Sequence, residues 1–129
     1  MYSTQNAYKK GVTKLKEKLL KLGGKHVVMS SYEEDLLKLL KRGKPLKGRV
    51  KMMLGNPNEC HRNSALCWDA NRDQSQIATG YALSQDGYWR QHSWVMAGSK
   101  IVETTQKRVL YFGFKLTPQE AEVFLASNE

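Results

Sequence analysis

The sequence predicts an α+β domain, and three observations carry that prediction. Over the first third of the chain, apolar residues recur at three- and four-residue intervals, the spacing of amphipathic helices. From residue 77 the period changes to runs rich in β-branched and aromatic residues divided by turn residues. Thr117-Pro118 then supplies a helix cap with proline at the first helical position, so a helix closes the chain. With 129 residues, 40% of them hydrophobic and 26% charged, the chain is the size of one soluble domain, 1–129, with one core.

Taken in order, Ala7, Tyr8, Val12, Leu15, Leu19 and Leu22 form one stripe of a helix from Ser3 to Leu22, which Gly23-Gly24 ends. His26 to Met29 is an apolar run too brief to assign. Ser30 or Ser31 caps a second helix, with Glu33, Glu34 and Asp35 in its first turn against the helix dipole. Leu36, Leu37, Leu39 and Leu40 supply its buried side, and Gly43 with Pro45 stops it. Residues 43–58 read as a connector with room for a short strand at 49–54. Asn58 is positioned as the cap of a helix from Glu59 to about Ala70, followed by the polar loop 71–76. Strands are expected at 77–83, 88–96, 100–105 and 109–114, turning at Asp86-Gly87 and Ala97-Gly98-Ser99, as an antiparallel meander. The last helix runs through about Ala126 with Ala121, Phe124 and Leu125 inward.

Composition narrows the function classes. No apolar run approaches the roughly 20 residues of a membrane span, and the N-terminus has no signal-peptide pattern, so a cytoplasmic protein without membrane contact is expected. Cys60 and Cys67 lie two helical turns apart, about 10 Å, too far for a disulfide without unwinding, which fits reduced thiols. The net charge of +9 is uneven. Residues 1–51 hold 14 Lys or Arg against 4 Asp or Glu, whereas residues 52–129 hold 7 against 8. The basic helical part, 1–51, is thus a candidate surface for nucleic acid or an acidic partner, although a solvated lysine face accounts for the same pattern.

Chemistry concentrates in 52–129. A thiol at a helix N-terminus sees the positive end of the dipole, which favours thiolate, and Cys60 is so placed. A buried cysteine that merely packs is the plainer alternative. If 88–96 and 100–105 pair around a two-residue turn at Ala97-Gly98, His92 lies directly across from Glu103, near enough for imidazole and carboxylate to bond. A slip of two residues keeps them on one face as diagonal neighbours, and a slip of one separates them. Glu103 would then fix the tautomer of His92, and His92 would take the proton of Cys60.

In this order, Cys60 at a helix start, Gly80-Tyr81-Ala82, His92-Ser93-Trp94-Val95 and Ile101-Val102-Glu103-Thr104-Thr105, the chain resembles the transglutaminase-like branch of the papain-like cysteine enzymes. The resemblance covers residues 56–114 or so and leaves the N-terminal helices aside. It implies an α+β fold with the Cys-bearing helix packed on an antiparallel sheet, and acyl transfer or hydrolysis on a glutamine or peptide amide through a thioester, without cofactor. By position it makes Cys60 the nucleophile, His92 the base and Glu103 the orienting acid. A protein or peptide is the implied substrate. The family's acid is usually aspartate, and Cys60-His61-Arg62 lacks its frequent aromatic. The Cys60 N–H is the natural oxyanion donor, with an amide from Asn56 or Asn58 as partner, although both asparagines also suit turn and cap roles. Trp94 is a further substrate-side candidate, but a strand aromatic more often packs beneath a site.

Two rivals are weaker. Cys60, His61, Cys67 and His92 are zinc-ligand types, but their spacing is unlike a tight structural zinc turn, and neighbours on a helix diverge by roughly 100°. No metal is therefore expected. A binding module built on the basic helices lacks aromatics interleaved with the lysines.

Overall fold

In the computed structural model, which describes residues 4–30 and 32–128, four helices pack on a mixed seven-stranded sheet. The elements are α1 (Thr4–Leu22), β1 (His26–Val28), α2 (Leu36–Arg42), β2 (Lys44–Pro45), β3 (Arg49–Met52), α3 (Cys60–Asp69), β4 (Gln76–Leu83), β5 (Tyr88–Ala97), β6 (Lys100–Glu103), β7 (Leu110–Lys115) and α4 (Pro118–Asn128), with a 3₁₀ turn at Arg72–Gln74. Ser3 and Ser31, expected as a helix start and an alternative cap, lie outside the described residues.

The first helix follows its stripe only in the middle, Ala7 and Leu22 near its ends being exposed. Leu15 and Leu19 are fully buried and Tyr8 and Val12 pack against the same core. The second departs from expectation. It begins at Leu36 with Asp35 in the cap position, because Glu33 turns inward and accepts the backbone N–H of Asp35 at 3.0 Å and the Tyr81 hydroxyl at 2.6 Å. The shorter helix buries Leu36 and Leu39 and leaves Leu37 79% exposed. At the far end Thr117 and Glu120 form a reciprocal capping box, Glu120 N to Thr117 Oγ1 at 3.2 Å and Thr117 N to Glu120 Oε1 at 2.9 Å.

The sheet order is β2-β7-β4-β5-β6-β3, with β1 beside β5. The expected meander holds only for β4, β5 and β6. Strand β7 returns to the other side of β4, and β3 and β1 add in parallel to β6 and β5, so the sheet is mixed rather than antiparallel. The connector thus contributes two strands, β2 and β3, which extend both edges of the sheet. Side chains alternate across the strands, and each face has its own core. One face, with Ile77, Tyr81, Trp89, Phe112 and Phe114, packs on the helices. The other, with Ala78, Ala82, Trp94, Met96, Ile101 and Tyr111, is covered by Leu46 and Val50 of the connector.

The β5–β6 hairpin is where sequence and structure differ most usefully. Val95 pairs with Val102 and Ala97 with Lys100, so the two-residue turn is Gly98-Ser99, not Ala97-Gly98. Gly98 has φ +63°, the sign a primed hairpin turn needs at its first central residue. The register is therefore slipped by two from the expected one. Trp94 falls across from Glu103, and His92 becomes its diagonal neighbour on the same face. A diagonal spans about 7–8 Å, within reach of a long side chain.

Candidate active site

Cys60 is the first residue of α3, so its backbone N–H is one of those that a helix leaves without an internal partner. The expected cap is displaced by one position. Glu59 precedes the helix, its carbonyl accepting Asn63 N–H at 2.8 Å, and Asn58 takes the left-handed φ of +60° that asparagine tolerates. The turn before Cys60 is clamped from both sides. Asn63 donates its amide to Asn56 O at 2.8 Å and accepts Asn56 N–H at 3.2 Å. Met53 N and Gly55 N reach Glu103 O and Thr104 O, each at 2.9 Å. The segment leading to the thiol is thereby fixed to the backbone of the acid.

His92 and Glu103 are 1% and 0% exposed, and His92 Nε2 meets Glu103 Oε1 at 2.8 Å. The same Oε1 accepts the Tyr111 hydroxyl at 2.8 Å, while Oε2 accepts the N–H and hydroxyl of Thr105, each at 3.0 Å. Four donors converge on one buried carboxylate, which is what a buried charge requires. The extra methylene of glutamate spans the diagonal register. That accounts for a residue other than aspartate at this position.

The small residues of β4 make room for this cluster. Ala78, Gly80 and Ala82 face it, and the rings of His92, Trp94 and Tyr111 lie together there, with Trp94 and Tyr111 centroids 4.9 Å apart and His92 stacked on Trp94 at 5.9 Å. A side chain on Gly80, φ +157°, would put its Cβ 2.2 Å from Phe112 O. One on Gly113 would meet the Trp94 ring at 3.0 Å. Trp94 is fully buried, so it supports the histidine from beneath instead of presenting itself to a substrate.

The electrostatics follow from these contacts. Burial pushes the Cys60 thiol up, but the imidazoles of His61 and His92 beside it outweigh burial and hold it well below its ordinary range, at about 5. Burial pulls His92 down, yet Cys60 on one side and Glu103 on the other raise it overall. Glu103, raised by burial, is lowered more by His92, Thr105 and Tyr111, to about 2. Cys67, half-buried in mid-helix, is moved the opposite way from Cys60, up, by burial.

The structure thus brings Cys60, His92 and Glu103 together. Asn56 and Asn58 lie exposed in the preceding turn, and neither side-chain amide takes part in the network just described. Sequence reasoning missed Tyr111 and Thr105, the other donors to Glu103, and it considered His61 only as a zinc ligand. Thr105 had a signal, being two residues past the acid. Tyr111 had none, because its place depends on β7 crossing to the far side of β4. Among the described residues no cluster of three His, Cys, Asp or Glu side chains is arranged to hold a metal ion, and no helix is long and apolar enough to cross a membrane. Comparison of the chain with protein-family models, with curated proteins and with solved structures returns no match, so the site is interpreted on its own geometry.

Proposed function

We propose that this protein is a cysteine-dependent amide hydrolase or acyltransferase that works through a thioester on Cys60. The observation that carries this reading is the buried His92–Glu103 pair, Nε2 to Oε1 at 2.8 Å, beside a half-buried Cys60 at a helix N-terminus. With Nε2 committed to the carboxylate, the other ring nitrogen, Nδ1, is the one left for the sulfur. The Cys60 thiolate attacks the amide carbonyl, forming a C–S bond. The oxyanion is met by the Cys60 N–H, with Asn56 or Asn58 as candidate second donors. The His92 imidazolium then gives its proton to the departing nitrogen, the C–N bond breaks, and water or an amine resolves the thioester. A peptide or a glutamine side chain fits this chemistry, and no cofactor enters it.

The test is iodoacetamide alkylation followed across pH by peptide mass spectrometry, with Cys67 as internal control. Alkylation of Cys60 is expected to persist toward about pH 5 and to shift upward in His92→Ala, together with loss of turnover on peptide amide or glutamine substrates. A Cys60 profile that matches Cys67 in the wild type would refute the reading.

One observation favours a second reading, a basic surface for nucleic acid. The fold brings Tyr8 and Tyr32 into a stack, centroids 5.5 Å apart and 11° between planes, beside a groove of about 980 Å³ lined by Lys9 and Lys16. Tyr32 is 69% exposed, which leaves a ring available to a base. Binding of a single-stranded oligonucleotide that weakens steeply between about 50 and 200 mM salt, and weakens in Tyr32→Ala, would support this reading. Binding indifferent to both would remove it.

A further inference from the structure

We propose that the outer edge of β3 takes an extended, acidic polypeptide segment as an added strand, and that this edge anchors the substrate of Cys60. That the anchored chain is substrate rests on the reading of Cys60 as a nucleophile; its docking does not.

Strand β3 closes the sheet order, with β6 on one side and no strand on the other. It runs parallel to β6, Arg49 beside Lys100 through Met52 beside Glu103, and just beyond it the Met53 N–H reaches Glu103 O. In a parallel ladder the N–H and C=O of one residue point to the same side, and the side alternates along the strand. Met53 points inward, so Lys51 and Arg49 do as well, and the backbone groups of Val50 and Met52 point outward. An open row of this kind is a template for a further strand. The opposite edge is built otherwise: β2 has two residues, and one is Pro45, which has no N–H to offer.

Charge selects the occupant. Val50 packs on the connector-covered core, so the alternating side chains of Arg49 and Lys51 lie on the helix-covered face. Lys100, the partner of Arg49, shares that face. Arg49 thus stands across from a like charge, which is destabilising, and among the described residues none of the three cations has an ion-pair partner. Between them and the end of α3 lies a cavity of about 430 Å³ with Lys51, Lys100, Asn71 and Gln74 in its wall. A second copy of this chain, added edge to edge, would bring the same cations against one another. A strand with glutamate or aspartate at alternate positions brings carboxylates to them instead.

The edge also leads to the thiol. Past Met52 the chain continues through Met53 and Gly55, bonded to Glu103 O and Thr104 O, into the turn before Cys60. An added strand lies three strand spacings from β5, about 15 Å from the strand that carries His92. About five extended residues cover that distance. The acidic segment therefore docks beside the site, and the reactive amide follows it at a separation of about five residues or more.

The probe is a fluorescein-labelled heptapeptide, Glu-Val-Glu-Val-Glu-Val-Glu, added to the full chain carrying Cys60→Ser, so that docking is read apart from chemistry. Fluorescence polarisation should show saturable binding that weakens about tenfold in Arg49→Ala/Lys51→Ala and in a peptide with lysine for glutamate. On peptide addition, hydrogen exchange should slow at the amides of Val50 and Met52, while Lys51 and Met53 stay protected throughout. Met52→Pro removes an outward N–H at an edge position, where proline is tolerated, and should weaken binding by a similar factor. N-methylation of alternate peptide residues, in each of the two phases, should abolish binding in one phase only, a readout that serves if Met52→Pro does not fold. No saturable binding up to millimolar peptide overturns the proposal. So does binding that ignores N-methylation and leaves Val50 and Met52 exchanging freely, or equal binding of an oligothymidylate through the same cations, since either is charge attraction alone. For the anchor, the heptapeptide extended by five glycines to a chloroacetamide should alkylate wild-type Cys60 about tenfold faster than its lysine counterpart, a gain that Arg49→Ala/Lys51→Ala removes. Docking without that gain overturns the substrate role and keeps the docking edge. An iodoacetamide profile of Cys60 that matches Cys67 overturns the proposed function and keeps the docking edge as well.

Discussion

The buried Glu103 carboxylate should make this protein unusually sensitive to one neutral, near-isosteric change, Glu103→Gln. In the fold the group ionises at about 2 against an ordinary 4.5. At 1.36 kcal/mol per unit, that difference is worth about 3 kcal/mol of folding stability at neutral pH. The sign follows from the direction of the shift. The carboxyl is more acidic folded than unfolded, so its contribution is complete above pH 4.5 and is lost as pH falls toward 2. His92 is shifted upward by the same ion pair, so its effect belongs to that figure and is not added to it. Glutamine brings a second fault. Every group around Glu103 donates to it, and an amide must place its NH₂ against two of those donors. The partner that can adapt on that side is the imidazole, by moving its proton off Nε2, which leaves Nδ1 protonated and no longer able to take the proton of a thiol. Urea unfolding of wild type and Glu103→Gln between about pH 7 and pH 2 measures the effect. The gap should be about 3 kcal/mol near neutrality and should close across the window from 4.5 to 2. A gap below about 1 kcal/mol, or one that ignores pH, would show that the carboxylate is neither buried nor paired in the way described.

Three further outcomes follow from the same structure. Tyr111→Phe removes one donor to a buried charge and should cost about 1.5–3 kcal/mol in urea unfolding, with a cost near zero arguing that the hydroxyl does not reach Glu103. Gly80→Ala forces a Cβ to 2.2 Å from Phe112 O and 2.6 Å from Gly113 Cα, so the variant should lose more than about 4 kcal/mol or fail to give a cooperative thermal transition. Thr117→Ala removes half of the capping box and should cost about 1 kcal/mol, seen as a lower urea midpoint at unchanged slope.

The parts of the fold legible in the sequence are those governed by local periodicity and caps. The middle of the α1 stripe, strands β4 to β7 and the Thr117-Pro118 helix start all announce themselves within a few residues. The missed parts are non-local. The short strand expected within 49–54 forms as β3, but its pairing with β6 cannot be read from either segment. Strand β7 crosses to β4 because Gly80 and Gly113 let the two backbones approach, a reason visible only once both strands are in place. The Glu33 carboxylate turns inward to accept the Tyr81 hydroxyl 48 residues away while its backbone N–H donates to the Tyr8 hydroxyl 25 residues back, and that shortens α2. In the site, parity survived where register did not. A slip of two moved His92 from opposite to diagonal and kept it on the face of Glu103, so the pairing was legible although the turn was misplaced by one residue. His61 is weighed only as a zinc ligand and set aside because side chains one residue apart on a helix diverge by roughly 100°, yet its ring reaches Ser93 Oγ at 2.6 Å.

A buried ion pair is weak evidence for stability, because desolvating two charges costs about as much as their attraction returns, and apolar replacements of the same volume are often neutral or better. The apolar alternative was close at hand here, since Trp94, Tyr111, Met96 and Ile101 already fill this face of the sheet. Its neighbours give the pair a different significance. Three more donors converge on the carboxylate, glycine and alanine on β4 clear space for the rings, and the loop entering α3 is tied to the backbone of Glu103 and Thr104. Together these features hold the His92–Glu103 pair in one place and tie the entry of α3 to it. Cys67 is the internal comparison: seven residues along the same helix, with no imidazole beside it, the same thiol group is shifted up instead of down. The difference between the two cysteines therefore follows from the imidazoles and the helix N-terminus that only Cys60 has beside it. It is the physical reason for seeking the protein's chemistry at Cys60.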